Sequence, residues 1–150
     1  MPKKIIIIAE AGINHNGSIS KALKLIDVAS QAGADIVKFQ VTNPENILKT
    51  AKKAEYQKKK KYDNESQFEM INKIHLDWKK VHPILINRCK VRNIEFMTSV
   101  FDKNAVDQIV KLNVKRIKIP SGEITNIPLL KYVARFIKKI IISTGASTLK

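Results

Sequence analysis

Five short apolar, β-branched runs alternate with helical segments from one end of the chain to the other, and this alternation limits the folds open to it. The runs cover residues 5–9, 35–41, 94–98, 115–119 and 140–143. Their nearly continuous Ile and Val content predicts strands that are buried on both faces, as in a parallel sheet covered by helices.

The segments between these runs carry readable helix ends. Ser66 and Glu69 form a capping box that predicts a helix over residues 67–74. A proline in the next helical segment, 78–92, predicts a kink or a restart at Pro83. The remaining helices are bounded by Ser18 or Ser20 and Gly33, by Asp102 and Lys111, and by Asn126, with Pro128 at the first helical position, and Phe136.

Repeated βα units fit two α/β architectures, an open doubly wound sheet or an eight-stranded barrel. The apolar triplet at 140–142 runs into a Ser-Thr-Gly turn, where another helix would begin. This ending favours the first five strands of a (β/α)8 TIM barrel of about 250 residues. Residues 1–150 are accordingly predicted to form the N-terminal half of one barrel domain.

The chain is strongly basic, with a net charge of +15 and 24 Lys against 4 Arg. Nucleic-acid binding, an anionic small substrate, or a coding bias that leaves lysines on a solvated surface each accounts for this. The scarcity of Arg weakens the nucleic-acid hypothesis. A single cysteine, the lack of an apolar run long enough to span a bilayer, and the lack of a signal-peptide pattern predict a cytoplasmic protein without membrane contact.

Two lysines stand inside apolar strand runs, near the strand ends where ligands bind in both architectures. Lys38 lies in the segment IVKF, and Lys118 lies in RIKI. A buried unpaired ammonium is costly, so an anionic partner is expected. The alternative is an edge strand that lets the amine reach water. Two such lysines on separate strands predict a shared anion, such as a phosphate or a carboxylate.

Two carboxylates follow the same strand ends, each with two open interpretations. Glu10 could act as a general acid or base, or it could pair with Lys38. Glu123, in the turn Ser-Gly-Glu after Lys118, could face a polyol or simply be solvated. His15 is interpreted as a hydrogen-bonded structural residue of its loop. The sequence has no metal-binding motif, so no metal ligand is assigned.

Several longer motifs occur in a fixed order along nearly the whole chain. They are IIAEAGINHNGS at 7–18, AGADIVKFQ at 32–40, KAEYQ at 53–57, ESQFEM at 65–70, KIPSGE at 118–123 and STG at 143–145. Together they resemble the sialic acid synthase family. That family condenses phosphoenolpyruvate with N-acetylmannosamine or a related amino-sugar aldehyde, giving a nonulosonic acid and phosphate by C–O cleavage. The resemblance implies a TIM barrel followed by an antifreeze-like domain, in a homodimer.

The resemblance also implies roles for individual residues. Lys38 and Lys118, with Ser99, Ser121 and Ser143, match positions that hold phosphoenolpyruvate. Glu10 matches a catalytic carboxylate, and Glu123 matches a contact to a sugar hydroxyl. The family uses a divalent metal, Mn²⁺ or Mg²⁺, to polarise the aldehyde, and its histidine ligands and antifreeze-like domain lie downstream of the region matched here.

Three departures from the family pattern qualify this expectation. The segment TSVFD at 98–102 stands where the family has STPFD, Pro120 replaces a smaller residue, and the metal-binding histidines are missing. We therefore expect an N-terminal fragment that is inactive alone. The alternatives are a basic nucleic-acid-binding half-barrel and an inactive remnant. The motifs disfavour a pseudaminic acid synthase but do not separate neuraminic from legionaminic acid synthases.

Overall fold

The structure is a computed structural model that describes residues 5–41, 43–47, 49–53, 64–145 and 147–148. Strands and helices alternate in it as β1 Ile8–Gly12, α1 Ile19–Gln31, β2 Ile36–Gln40, α2 Gln67–Ile74, α3 Trp78–Val91, β3 Glu95–Ser99, α4 Lys103–Lys111, β4 Arg116–Ile119, α5 Ile127–Phe136 and β5 Lys139–Ile142. Single 3₁₀ turns follow β2 at Pro44–Asn46 and β4 at Ser121–Glu123.

The five strands form one parallel sheet in the order β1-β2-β3-β4-β5. A doubly wound sheet reverses its strand order at a switch point, whereas a barrel adds each new strand beside the last. The sequential strand order therefore excludes the doubly wound sheet and favours the barrel. Right-handed βα crossovers are expected throughout. The chain has the fold of the first five strands of a (β/α)8 barrel, with helices after each of the first four.

Alternation along each strand gives the sheet two different faces. One face packs against the helices through a continuous apolar core, which includes Val37, Phe39, Phe96, Ile117 and Ile119. The residues between these point to the opposite face and stay in register across neighbouring strands. That inner face carries Glu10, Lys38, Gln40, Met97, Ser99 and Lys118. The polar side chains near the ends of the strands are thus collected on one concave surface.

The first strand begins later than the sequence indicates. Ile5, Ile6 and Ile7 are exposed and precede β1, which starts at Ile8 because its pairing with β2 starts there. The prediction of a strand over 5–9 was therefore wrong by three residues. Asp35 fixes this boundary, since its carboxylate accepts a hydrogen bond of 2.9 Å from the Ile7 amide.

Two helix details also differ from expectation. Helix α3 is continuous through Pro83, so the predicted restart was wrong. Pro83 lies on the solvent side of the helix, where water can bond the carbonyl that the proline leaves unpaired. Pro128 occupies the second position of α5 rather than the first. The capping residues Ser18, Ser66, Asp102 and Asn126 all accept backbone hydrogen bonds as predicted.

The run Lys58 to Lys61, interpreted as a loop, lies outside the described residues. Among the helices of the described part of the chain, none combines the length and apolar character needed to span a membrane.

Candidate active site

Lys38 is the buried charge at the centre of the inner face. Only 4% of the residue is exposed. Its ammonium lies 2.6 Å from a carboxylate oxygen of Glu10 on β1, and it donates a hydrogen bond of 3.3 Å to Ser99 Oγ on β3. The two neighbouring strands thus supply one anionic and one neutral partner, which makes the burial of this cation tolerable. Three residues predicted for the site are brought together here.

Glu10 leaves its carboxylate half exposed, with 51% of its side chain accessible. One carboxylate oxygen holds Lys38, and the other lies over Gly12, where a Cβ would come within 3.2 Å of it. Gly12 has φ of +52°, a conformation that favours glycine. The turn after β1 therefore both leaves room for the carboxylate and keeps it open to a ligand. Glu10 thus pairs with Lys38, as one interpretation predicted. Its exposed carboxylate is also compatible with the other interpretation, a general acid or base.

Burial and two charged neighbours shift the pKa of Lys38 in opposite directions. Burial lowers the pKa of the Lys38 ammonium, the hydrogen bond and charge of Glu10 raise it, and the like charge of Lys118 lowers it again. Lys118 follows on β4, in register with Ser99. It is half-buried rather than fully buried, so the expectation of a buried ammonium is confirmed for Lys38 alone. Two cations close to one another beside a single carboxylate leave an excess of positive charge, which suits an anion.

The remaining hydroxyls of the predicted site lie further along the same edge of the sheet. Ser121 opens the 3₁₀ turn after β4, and Ser143 follows β5, where its amide donates to the Ile119 carbonyl at 3.0 Å. A Cβ placed on Gly145 would stand 3.5 Å from Ser121 Oγ, so the turn after β5 approaches that hydroxyl closely. Both serines are half-buried and accessible from the concave side.

A cleft of about 500 Å³ opens beside this cluster at the carboxyl ends of the strands. Glu123 lines it and accepts a hydrogen bond of 2.7 Å from Asn126 Nδ2. Gln40, at the end of β2, lines it as well. The other lining residues come from loops and from α2: Ile13, Asn43, Asn46, Ile47, Gln67, Ile71, Phe101 and Asn126.

The amides of this cleft were not assigned to the site from the sequence. Asn126 was identified only as a helix cap, although its side chain also orients Glu123. The signal was present in the spacing, since a helix-capping amide three residues after a carboxylate places both groups on one turn. Asn43 and Asn46 carried no such signal, because their place depends on how a long connection folds back.

His15 has the structural role expected of it. The residue is 1% exposed, its Nδ1 accepts a hydrogen bond of 3.1 Å from the Gly17 amide, and its ring packs edge to face against Trp78. Burial lowers the pKa of His15, and it lowers that of His82 to about 4. Within the described ranges, no group of three His, Cys, Asp or Glu side chains lies close enough to hold a metal ion. The residues described thus do not fit a divalent metal, and no chemical step below passes through one.

The fold and the cluster define a class of protein: a chain with the first five strands of a (β/α)8 barrel and a cluster of polar and charged side chains at the carboxyl edge of those strands. The sequence assigns it further, since the model of the NeuB family matches residues 25–150. The chain belongs to the NeuB family.

Relatives in this family are synthases of nonulosonic acids. The chain is 51% identical over 148 residues to the N,N'-diacetyllegionaminic acid synthase of Campylobacter jejuni, covering 98% of this chain and 44% of that protein. It is 43% identical over 145 residues to the synthase of the same name from Legionella pneumophila, covering 96% and 40%. The crystal structure of an N-acetylneuraminic acid synthetase from Leptospira borgpetersenii in complex with citrate superposes with a TM-score of 0.79 at 30% identity, covering 98% and 47%. The chain thus spans less than half the length of these relatives.

Proposed function

We propose that this chain supplies the phosphoenolpyruvate-binding half of a nonulosonic acid synthase. The observation that carries the proposal is the buried Lys38, held between Glu10 and Ser99 and beside a second cation, Lys118. Phosphoenolpyruvate carries a phosphate and a carboxylate on adjacent positions, so two converging ammonium groups match its charge. Ser99, Ser121 and Ser143 would donate hydrogen bonds to its oxygens.

The proposed reaction joins C3 of phosphoenolpyruvate to the aldehyde carbon of an amino sugar. The aldehyde oxygen takes up a proton and becomes a hydroxyl, and water adds at C2. The C2–O bond to phosphate then breaks, leaving a 2-keto acid and inorganic phosphate. Lys38 and Lys118 would hold the phosphate while this bond breaks, and Glu10 would move the proton. The cleft beside Glu123 has the size and the polar lining to take the sugar.

The assembly around this half remains part of the proposal. We propose that residues 1–150 form a partial barrel domain that works with a complementary barrel half and an antifreeze-like domain in a cytoplasmic homodimer. A Mn²⁺ or Mg²⁺ ion would act at residues outside those described here. The Campylobacter and Legionella relatives named above favour a legionaminic acid as the product. The assay below determines which aldehyde is accepted.

Complementation tests the proposal directly. The chain would be purified alone and together with the carboxy-terminal part of the Campylobacter relative, and phosphate release from phosphoenolpyruvate would be followed with a panel of amino-sugar aldehydes. We expect release only from the combination and only with an aldehyde present. Aldehyde-independent phosphate release, or none with any aldehyde, would contradict the proposal.

Glu10→Gln is expected to lower turnover more than phosphoenolpyruvate affinity, by about 100- to 10,000-fold in kcat if Glu10 transfers the proton. It should also change the pH dependence of binding. Glu10 raises the pKa of Lys38, so its loss lowers that pKa. Because only the protonated amine attracts the anion, affinity is present below this pKa and is lost above it. The alkaline limit of binding should therefore move to lower pH. A loss of affinity alone would make Glu10 a positioning group.

A further inference from the structure

Lys53 is a second buried cation, and the reaction proposed above does not use it. Only 1% of its side chain is exposed, and its ammonium lies 2.7 Å from Oε2 of Glu65. The other carboxylate oxygen of Glu65 lies 2.6 Å from the ammonium of Lys73, which is itself exposed. The two hydrogen bonds hold the pKa of Glu65 below its ordinary value, so the carboxylate stays charged.

This ion pair joins the connection after β2 to the start of α2, where the chain folds back on itself. Lys52 pairs with Ser66 in an antiparallel bridge, and the Gln67 amide donates to the Ala51 carbonyl at 2.9 Å. These backbone contacts hold residues 49–53 beside the N-terminal turn of α2. Lys53 and Glu65 flank the same bridge and join its two sides through their side chains.

Residues 49–53 lie between two parts of the chain that line the 500 Å³ cleft. Asn46 and Ile47 line the cleft just before residues 49–53, and Gln67 and Ile71 line it from α2. The far end of the same connection is tied to the capping residue of α4, since Asn46 donates to the Asp102 carboxylate. The connection is thus tied to α4 at Asn46 and to the start of α2 by the Lys53–Glu65 pair. Gln67 and Ile71, just beyond this pair, form the α2 wall of the cleft.

A buried ion pair of this kind contributes little net stability compared with apolar side chains of similar size, because desolvation offsets the attraction. The pair constrains geometry all the same, because separating the two groups leaves the buried ammonium without its partner. We infer that Lys53 is a positioning residue: paired with Glu65, it fixes the α2 wall of the cleft against the aldehyde substrate. The identity of that substrate rests on the proposed function, whereas the positioning of the wall does not.

Hydrogen exchange tests the positioning in the chain paired with its complementary barrel half, without any ligand. Lys53→Met keeps an unbranched side chain one atom shorter and removes its charge, whereas Lys53→Arg keeps the charge. Lys52→Met is a matched control because Lys52 is the exposed neighbour. We expect Lys53→Met to speed exchange at the Gln67 amide about tenfold or more while amides of the β2 and β3 core exchange as before. Lys53→Arg should lie close to the wild type, and Lys52→Met should match it.

Kinetics of the complemented enzyme test the link to the substrate. Lys53→Met should raise KM for the aldehyde about 10- to 100-fold and leave KM for phosphoenolpyruvate within about twofold. If Lys53→Met does not fold, Glu65→Gln serves as the second variant and should show the same split. Unchanged exchange at Gln67, or equal changes in both KM values, would overturn the inference. A wild-type complex that releases no phosphate would instead contradict the proposed function, and the exchange result would still decide the role of Lys53.

Discussion

Lys38→Ala and Lys118→Ala are each expected to abolish phosphoenolpyruvate turnover in the complemented enzyme, a loss of about 1,000-fold or more. Groups that stabilise developing charge in a water-poor site contribute on this scale. Lys38 is the deeper of the two and bridges Glu10 and Ser99. Steady-state phosphate release at saturating aldehyde measures the effect.

The same variants must fold for this result to have meaning. Removing Lys38 leaves Glu10 without its partner, yet the Glu10 side chain is 51% exposed and water can solvate it. Thermal unfolding should therefore remain cooperative in Lys38→Ala. Lys131→Ala, an exposed lysine on α5, is the control that removes an equal charge elsewhere. Activity in Lys38→Ala and Lys118→Ala equal to that of Lys131→Ala would remove the shared-anion argument.

The second large effect concerns the chain on its own, which we expect to associate rather than remain monomeric. Strands β1 and β5 stand at the two edges of the sheet, and an uncovered edge offers unpaired backbone groups to another chain. Ile141 and Ile142 on β5 are 37% and 47% exposed. Strand β1 begins at Ile8, so the edge that it forms starts three residues later than the run 5–9 indicates.

Light scattering measures this association directly. We expect the purified chain to dimerise, to aggregate, or to form a stable complex with the complementary barrel half of a relative. It should release no phosphate from phosphoenolpyruvate and an aldehyde when Mn²⁺ is added to it alone. A stable monomer with a sharp thermal transition would contradict the exposed-edge argument, and metal-dependent release would contradict the expected inactivity.

The sequence predicted the parts of the fold that depend on local chemistry. Capping residues such as Ser66 and Asp102 act within one turn of their partners, so spacing alone was enough. The start of β1 was wrong because strand limits depend on the partner strand, and pairing with β2 begins only at Ile8. The continuity at Pro83 depends on which side of α3 faces solvent, a property of the packed structure.

In the candidate site too, the residues found from the sequence carry a local signal, and those that were missed depend on the packed structure. Lys38 was identified because a charge inside an apolar strand is visible in the sequence. Glu10 was identified because it follows the predicted strand 5–9, although in the structure it lies inside β1. The roles of Ser121, Ser143 and Glu123 remain predictions, taken from the family resemblance. The Lys53–Glu65 pair could not be predicted, since its two members meet only when the connection folds back along α2.

Binding of phosphoenolpyruvate by this chain's own lysines is the central claim, and a ³¹P NMR titration tests it most directly. Phosphoenolpyruvate would be titrated into the wild-type chain with its complementary half and into the Lys38→Ala, Lys118→Ala and Lys131→Ala variants. We expect a saturable change of the phosphate resonance in the wild type and in Lys131→Ala, and no such change in Lys38→Ala or Lys118→Ala. Equal titration curves for all four proteins would contradict the central claim.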